Sequence, residues 1–213
     1  MIEQVLTVVV FVLVALRLMQ GLRRSRQGDA RHLVSGIYRT IRWRHIWPVP
    51  FVLAAVSLVA TLLVQLPILE WGWWSAIGGA GTPLLGSSSE TAGTVWEWVI
   101  PLVFIGLLAP AIPLWANAEE QMFRSGAEVW SRRRQVLKTL QFGMIHAVVG
   151  IPIGVALALS IGGSYFMAVY LRRFRATGDG REATLESTRA HTAYNGLIVI
   201  LVVVLITASA IGT

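Results

Sequence analysis

Residues 96–124 read WEWVIPLVFIGLLAPAIPLWANAEEQMFR, an apolar run interrupted by Pro101, Pro110 and Pro113 and ended by two adjacent carboxylates, Glu119 and Glu120, with Arg124 one helical turn further on. Trp98 to Ala118 carries no charge and is long enough to cross a hydrocarbon core of roughly 30 Å. Carboxylates are costly at or near that depth, so an adjacent pair marks a functional site, against the plainer reading of a solvated helix end. The prolines kink the span and free backbone carbonyls, which neighbours or water must satisfy. This third span is therefore expected to end beside a polar cavity.

The rest of the chain has the same character. Of 213 residues, 55% are hydrophobic and 14% charged, and the mean hydropathy is +0.65. That is too apolar for a soluble domain and predicts an all-α, polytopic membrane bundle, with residues 1–213 forming a single integral domain. There is no cysteine, which excludes disulfides and thiolate chemistry. The formal charge of +7 could point to nucleic acid, but every Lys and Arg lies between or at the ends of apolar runs, which is a topology signal. No nucleic-acid partner is expected.

The first run, Val5 to Met19, has Glu3 before it and Arg17, Arg23, Arg24 and Arg26 at and beyond its end, the reverse of a cleavable signal peptide, so it is expected to stay as a helix with its N-terminus outside. The connector up to Arg44 carries Arg31, Arg39, Arg42, His32 and His45 and reads as an amphipathic segment drawn to anionic headgroups, its histidines at the surface or interface. A second span covers Ile46 to Leu69, flanked by Trp43 and Trp47 at one interface and Trp71, Trp73 and Trp74 at the other. The Gly- and Ser-rich loop 72–94 has no Lys or Arg and is placed outside. These elements make up residues 1–95, and a core of residues 96–213 follows.

From Gln135 to Leu171 the chain is apolar with basic flanks, which requires an even number of crossings and predicts a helical hairpin turning near Gly150 and Pro152. Its second arm carries Gly154, Gly162, Gly163 and Ser164, small residues that permit close helix contact. Arg172, Arg173, Arg175, Arg181 and Arg189 read as a last cytoplasmic loop, and a final span runs from near His191 to Ile211. Six helices with both termini outside place all 18 basic residues on the cytoplasmic side.

Few residues here can carry chemistry. His146 lies inside the fourth span beyond Phe142, where a packing histidine with a hydrogen-bond partner is the plain alternative. His191 opens the last span, with Asn195 one turn later on the same face. With Glu119, Glu120 and Arg124 they gather on the cytoplasmic half of the bundle. Carboxylates, imidazoles, an amide and a guanidinium, without Cys or an evident nucleophilic Ser, suit hydrolysis by an activated water.

The stretches Glu119-Glu120-Gln121-Met122-Phe123-Arg124, Phe142-Gly143-Met144-Ile145-His146 and His191-Thr192-Ala193-Tyr194-Asn195 resemble, in order, the EExxxR, FxxxH and HxxxN motifs of the CPBP family of CAAX proteases and bacteriocin-processing enzymes, also called Abi. The resemblance covers roughly Trp96 to Ile211. It implies an intramembrane endopeptidase in which a glutamate activates water, a histidine assists it and a His/Asn pair holds the oxyanion. The substrate would be a peptide or protein reached from membrane or cytosol.

Glu120 and Arg124 share a helix face while Glu119 points about 100° away, so Arg124 is expected to hold Glu120 and leave Glu119 as the base. His146 would share the water or protonate the leaving amine, with Phe142 shielding its ring and serving as a substrate-binding residue. His191 and Asn195 would serve the oxyanion. A zinc version, with His146, His191 and Glu119 as ligands and water in the open position, is the alternative to metal-independent catalysis, which is preferred. A non-catalytic scaffold or bacteriocin-immunity protein of the same fold is the competing function. The preference for Arg over Lys points to a high-GC bacterium and its plasma membrane.

Overall fold

The structure, a computed structural model, describes residues 19–76 and 94–212 together with residues 9, 12 and 16. These are helical throughout: α1 (Gly28–Thr40), α2 (Trp43–Ile46), α3 (Val49–Leu63), α4 (Trp73–Ala76), α5 (Trp96–Leu108), α6 (Ile112–Phe123), α7 (Arg132–Ile145), α8 (Ile153–Thr177) and α9 (Gly180–Gly212), with single 3₁₀ turns at Ala109–Ala111, Ala127–Val129 and His146–Val149. Four stretches among the described residues are long and apolar enough to cross a membrane: Trp43–Leu63, Pro101–Val129, Ile153–Thr177 and Gly180–Ala208. This is the make-up of a multi-pass membrane protein. The first expected span, Val5 to Met19, lies almost wholly outside the described residues, as does 77–93 of the external loop.

Pro110 and Pro113 break the opening stretch into α5, a 3₁₀ turn and α6, while Pro101 lies inside α5 without ending it. Pro113 has no N–H, so the Ala109 carbonyl one turn earlier accepts the Ile112 N–H in a 3₁₀ bond in place of its usual helical partner. Tyr38 of α1 donates its hydroxyl to that carbonyl. The kink is thus stabilised by a neighbouring element, and α1 is fastened across the third span.

The hairpin turns where the sequence places it. Gly150 adopts φ 91°, a left-handed conformation that a Cβ would strain, and Pro152 precedes α8. The first arm, α7, is helical but opens on Arg132, Arg133 and Arg134, and it is not one of the four apolar spans. The span read as Ile46 to Leu69 is shorter than expected. Its helix ends at Leu63 because the following turn serves α8: Gly154 N–H donates to the Leu69 carbonyl at 2.7 Å and Ile153 N–H to that of Trp71 at 3.0 Å. These are donors that a helix N-terminus otherwise leaves unpaired.

Two expectations are corrected at the C-terminal end. The last helix begins at Gly180, so His191 sits about three turns inside α9 rather than at its start. The arginines read as a loop lie on α8 and α9, and the connection is a tight turn through Gly178, φ 69°, and Asp179. Asp179 Oδ1 caps α9 by accepting the N–H groups of Arg181 and Glu182 at 2.8 and 3.2 Å. Charge is tolerated on these helices because Glu182 pairs with Arg173 and Arg189, each at 3.1 Å.

The bundle is held by α8, which packs against α3, α7 and α9, while α9 also packs on α6. Val49, Phe123, Phe142, Phe166, Ala190 and Tyr194 form the main buried cluster. Phe51, Leu58, Leu62, Val103, Val204 and Leu205 point outward, as suits a lipid-facing surface.

Candidate active site

Glu120 and Arg124 are both 0% exposed. Arg124 follows the end of α6 with φ −131°, leaving the helical conformation, and its Nη1 lies 3.2 Å from Glu120 Oε1. The guanidinium carbon stands 4.1 Å from the centroid of the Phe142 ring, and Nη2 donates to the Gly163 carbonyl at 3.3 Å. A buried ion pair is tolerated only when its remaining polar atoms are met. Glu120 meets that demand, since Oε1 accepts from His191 Nδ1 at 2.9 Å and Oε2 from the Ser187 hydroxyl, whereas Arg124 Nε and Nη1 make no hydrogen bond and lie under the Phe142 ring.

Backbone approach explains how so much fits. A Cβ on Gly163 would lie 2.8 Å from Phe142 Cδ1 and 3.3 Å from Arg124 Nη2. Glycine there lets α8 close onto the guanidinium and its aromatic cover.

His191 is 2% exposed. Its ring stacks on Phe166 with centroids 4.3 Å apart and planes 20° apart, and meets the edge of Phe142 at 5.5 Å. An ionised carboxylate only accepts, so Nδ1 carries the proton that points to Glu120. Nε2 then faces Glu119, whose Oε2 is 3.7 Å away. In the neutral ring Nε2 offers a lone pair to a water proton; in the doubly protonated ring it offers an N–H to an oxyanion.

Glu119 differs sharply from its neighbour. Its side chain is 33% exposed, and Oε2 is buried with no hydrogen-bond partner. It lines a cavity of about 1760 Å³ bounded also by Arg24, Trp115, Asn117, Tyr170 and Arg181. Tyr170 donates to Glu128 Oε2 at 2.6 Å on the same wall.

The structure therefore joins Glu119, Glu120, Arg124, His191 and Phe142 directly. His146 is linked through Phe142: its ring lies 5.2 Å from that ring and its Nδ1 donates to the Phe142 carbonyl at 2.8 Å, leaving Nε2 as the free nitrogen. Phe142 is 3% exposed and is the hub of the packing, not part of the cavity wall. Asn195 is half-buried one turn beyond His191. Among the described residues no group of three His, Asp or Glu side chains is placed to hold a metal ion, the trio His146, His191 and Glu119 included.

Ser187, Phe166 and His45 do not stand out in the sequence as members of this region. Ser187 is four residues before His191 and so shares its face, a signal that the spacing does contain. His45 is no surface residue: it is 2% exposed, with Nε2 3.0 Å from Glu186 Oε1. No family model matches this chain, and no curated protein and no solved structure matches it either.

Proposed function

We propose that this chain is a multi-pass membrane endopeptidase of the kind represented by the CAAX proteases and bacteriocin-processing enzymes, hydrolysing a peptide bond with a water activated by Glu119. One observation carries the reading: Glu119 alone of the two carboxylates reaches the cavity, with its second oxygen beside His191 Nε2 and free of any hydrogen bond. Glu120 is held from three sides and serves as the anchor for Arg124 and His191. The ordered motifs supply the reaction class.

Glu119 takes one proton from a water in the cavity while the water oxygen forms a bond to the carbonyl carbon. The carbonyl oxygen becomes an oxyanion, met by donors from His191 and Asn195, each contributing about 3 kcal/mol to transition-state stability. The C–N bond then breaks, and the amine nitrogen receives the proton held by Glu119, directly or by way of His146 Nε2. The scheme is written without a metal, and a zinc-assisted version remains the alternative.

In the membrane we place six crossings, with both termini outside and the site on the cytoplasmic side of a bacterial plasma membrane. Support for α7 as a crossing comes from its length: 14 α-helical residues and a 3₁₀ turn of 4 extend roughly 29 Å, close to a hydrocarbon core. The cavity borders the segment that carries Arg24, where the basic residues gather, so the peptide would enter from water.

The test is comparison of membrane and secreted peptides from cells carrying wild type or Glu119→Gln. Substrates should accumulate uncleaved in the variant. Identical peptide sets, with both proteins present at equal levels, would favour a non-catalytic scaffold or immunity protein instead.

A further inference from the structure

The connector between the first two apolar segments is tied to the helix bearing His191 by a buried cluster that the proposed chemistry does not use. His45 Nδ1 accepts the Arg42 N–H at 2.9 Å, so in the neutral ring the proton is on Nε2, which donates to Glu186 Oε1 at 3.0 Å. Glu186 also pairs with Arg44 at 2.9 Å and Arg189 at 3.0 Å. Arg189 Nε in turn donates to Thr40 Oγ1, the last residue of α1, at 2.9 Å. The fastening is needed because α2 is a single turn of 4 residues, its N-cap Arg42 donating its N–H back to the His45 side chain, too short to hold a shape by itself.

At its other end the connector borders the site. Asp29, Ala30 and Leu33 of α1 line the cavity shared with Glu119. Ile37, one turn on from Leu33, is 2% exposed, and α1 packs against α6 and α9. The side of α1 that faces the bundle is therefore a wall of the cavity, and its C-terminal end is held by Arg189, which Glu186, the residue before Ser187, pairs with in turn.

We propose that His45 and Glu186 are positioning residues, which latch α1 in place as a wall of the cavity that Glu119 also lines and thereby set how tightly a peptide is held. Neither touches the reacting atoms. The kinetic part of this inference rests on the proteolytic reading above, whereas the mechanical part does not.

The absence of cysteine makes the mechanical part directly measurable in the full chain in membranes. Ile37→Cys introduces a single thiol on the buried side of α1, to be labelled by a water-soluble maleimide from the cytoplasmic side. The thiol should react slowly in the otherwise unchanged chain and at least tenfold faster with His45→Ala. With His45→Gln the rate should return to the parent value, because a glutamine can accept from Arg42 N–H and donate to Glu186. Thr40→Val, an exposed and mild change, should raise the rate about two- to fivefold and serves if His45→Ala does not fold. In cleavage assays His45→Ala should raise KM at least fivefold with kcat within twofold, and His45→Gln should restore KM. Unchanged labelling in the folded variants, or a fall in kcat at constant KM, overturns the latch. If wild type itself cleaves nothing, the proteolytic reading fails while the labelling rates still decide the latch.

Discussion

His191 Nδ1 lies 2.9 Å from Glu120 Oε1, and both side chains are buried. One nitrogen of the imidazole is thereby committed to a carboxylate that Arg124 also holds, which fixes the ring so that Nε2 faces Glu119. Two neighbouring glutamates thus occupy opposite situations, one locked in a network and one at a cavity.

Their replacements should separate accordingly. Glu120→Gln leaves the Arg124 guanidinium buried without its counter-charge and is expected to cost about 3–5 kcal/mol of stability. Glu119→Gln, at a side chain 33% exposed, should leave unfolding within about 0.5 kcal/mol of wild type yet lower cleavage by at least roughly 100-fold, the value of a general base. Denaturant unfolding in detergent and single-substrate kinetics read the two effects. Full activity in Glu119→Gln removes it as the base.

Ser187→Ala should be destabilising by about 1–3 kcal/mol, since Glu120 Oε2 is then buried without that donor. Ser187→Thr keeps the hydroxyl and should recover part of the loss if the added methyl finds room. Equal stability of Ser187→Ala and wild type would mean that water replaces the hydroxyl.

Much of this network is local and therefore legible in the sequence. Glu120 and Arg124 are one turn apart, and helical periodicity alone puts them on one face and Glu119 off it. Pro110 and Pro113 announce the break in the third span. What stays hidden is long-range: Tyr38 reaches Ala109 across 71 positions, and His45 finds Glu186 across 141. Residues 172–190 read as a loop because their arginines look unsuited to a membrane bundle. Glu186 and Arg189 are a local pair three residues apart, but only across two helices does Glu182 also neutralise Arg173, letting α9 start a full three turns before His191.

Gly163→Ala and Gly162→Ala form an internal control. At Gly163 the new methyl meets Phe142 at 2.8 Å and Arg124 at 3.3 Å, so overpacking of about 1–3 kcal/mol is expected, together with displacement of the guanidinium and loss of activity. At Gly162 the nearest atoms are 3.9 Å away, ordinary contact. There the helix-propensity gain of up to about 1 kcal/mol should appear as neutral or slightly raised stability. Equal destabilisation at both sites would show that α8 and α7 do not approach as closely at Phe142 as these distances require.

Asn195 allows the sharpest separation of catalysis from folding. It lies one turn beyond His191 on α9, and among the described residues its side chain makes no hydrogen bond that the fold depends on. Asn195→Ala should therefore change unfolding by less than about 0.5 kcal/mol. If its amide N–H meets the oxyanion, the same change removes about 3 kcal/mol of transition-state stabilisation, a loss of roughly 100-fold in kcat with little change in KM. Asn195→Asp, which replaces the donor with an acceptor, should be no better than alanine. A rise in KM at constant kcat would instead place Asn195 in ground-state binding of the peptide, and cleavage at the wild-type rate would leave His191 as the sole candidate donor.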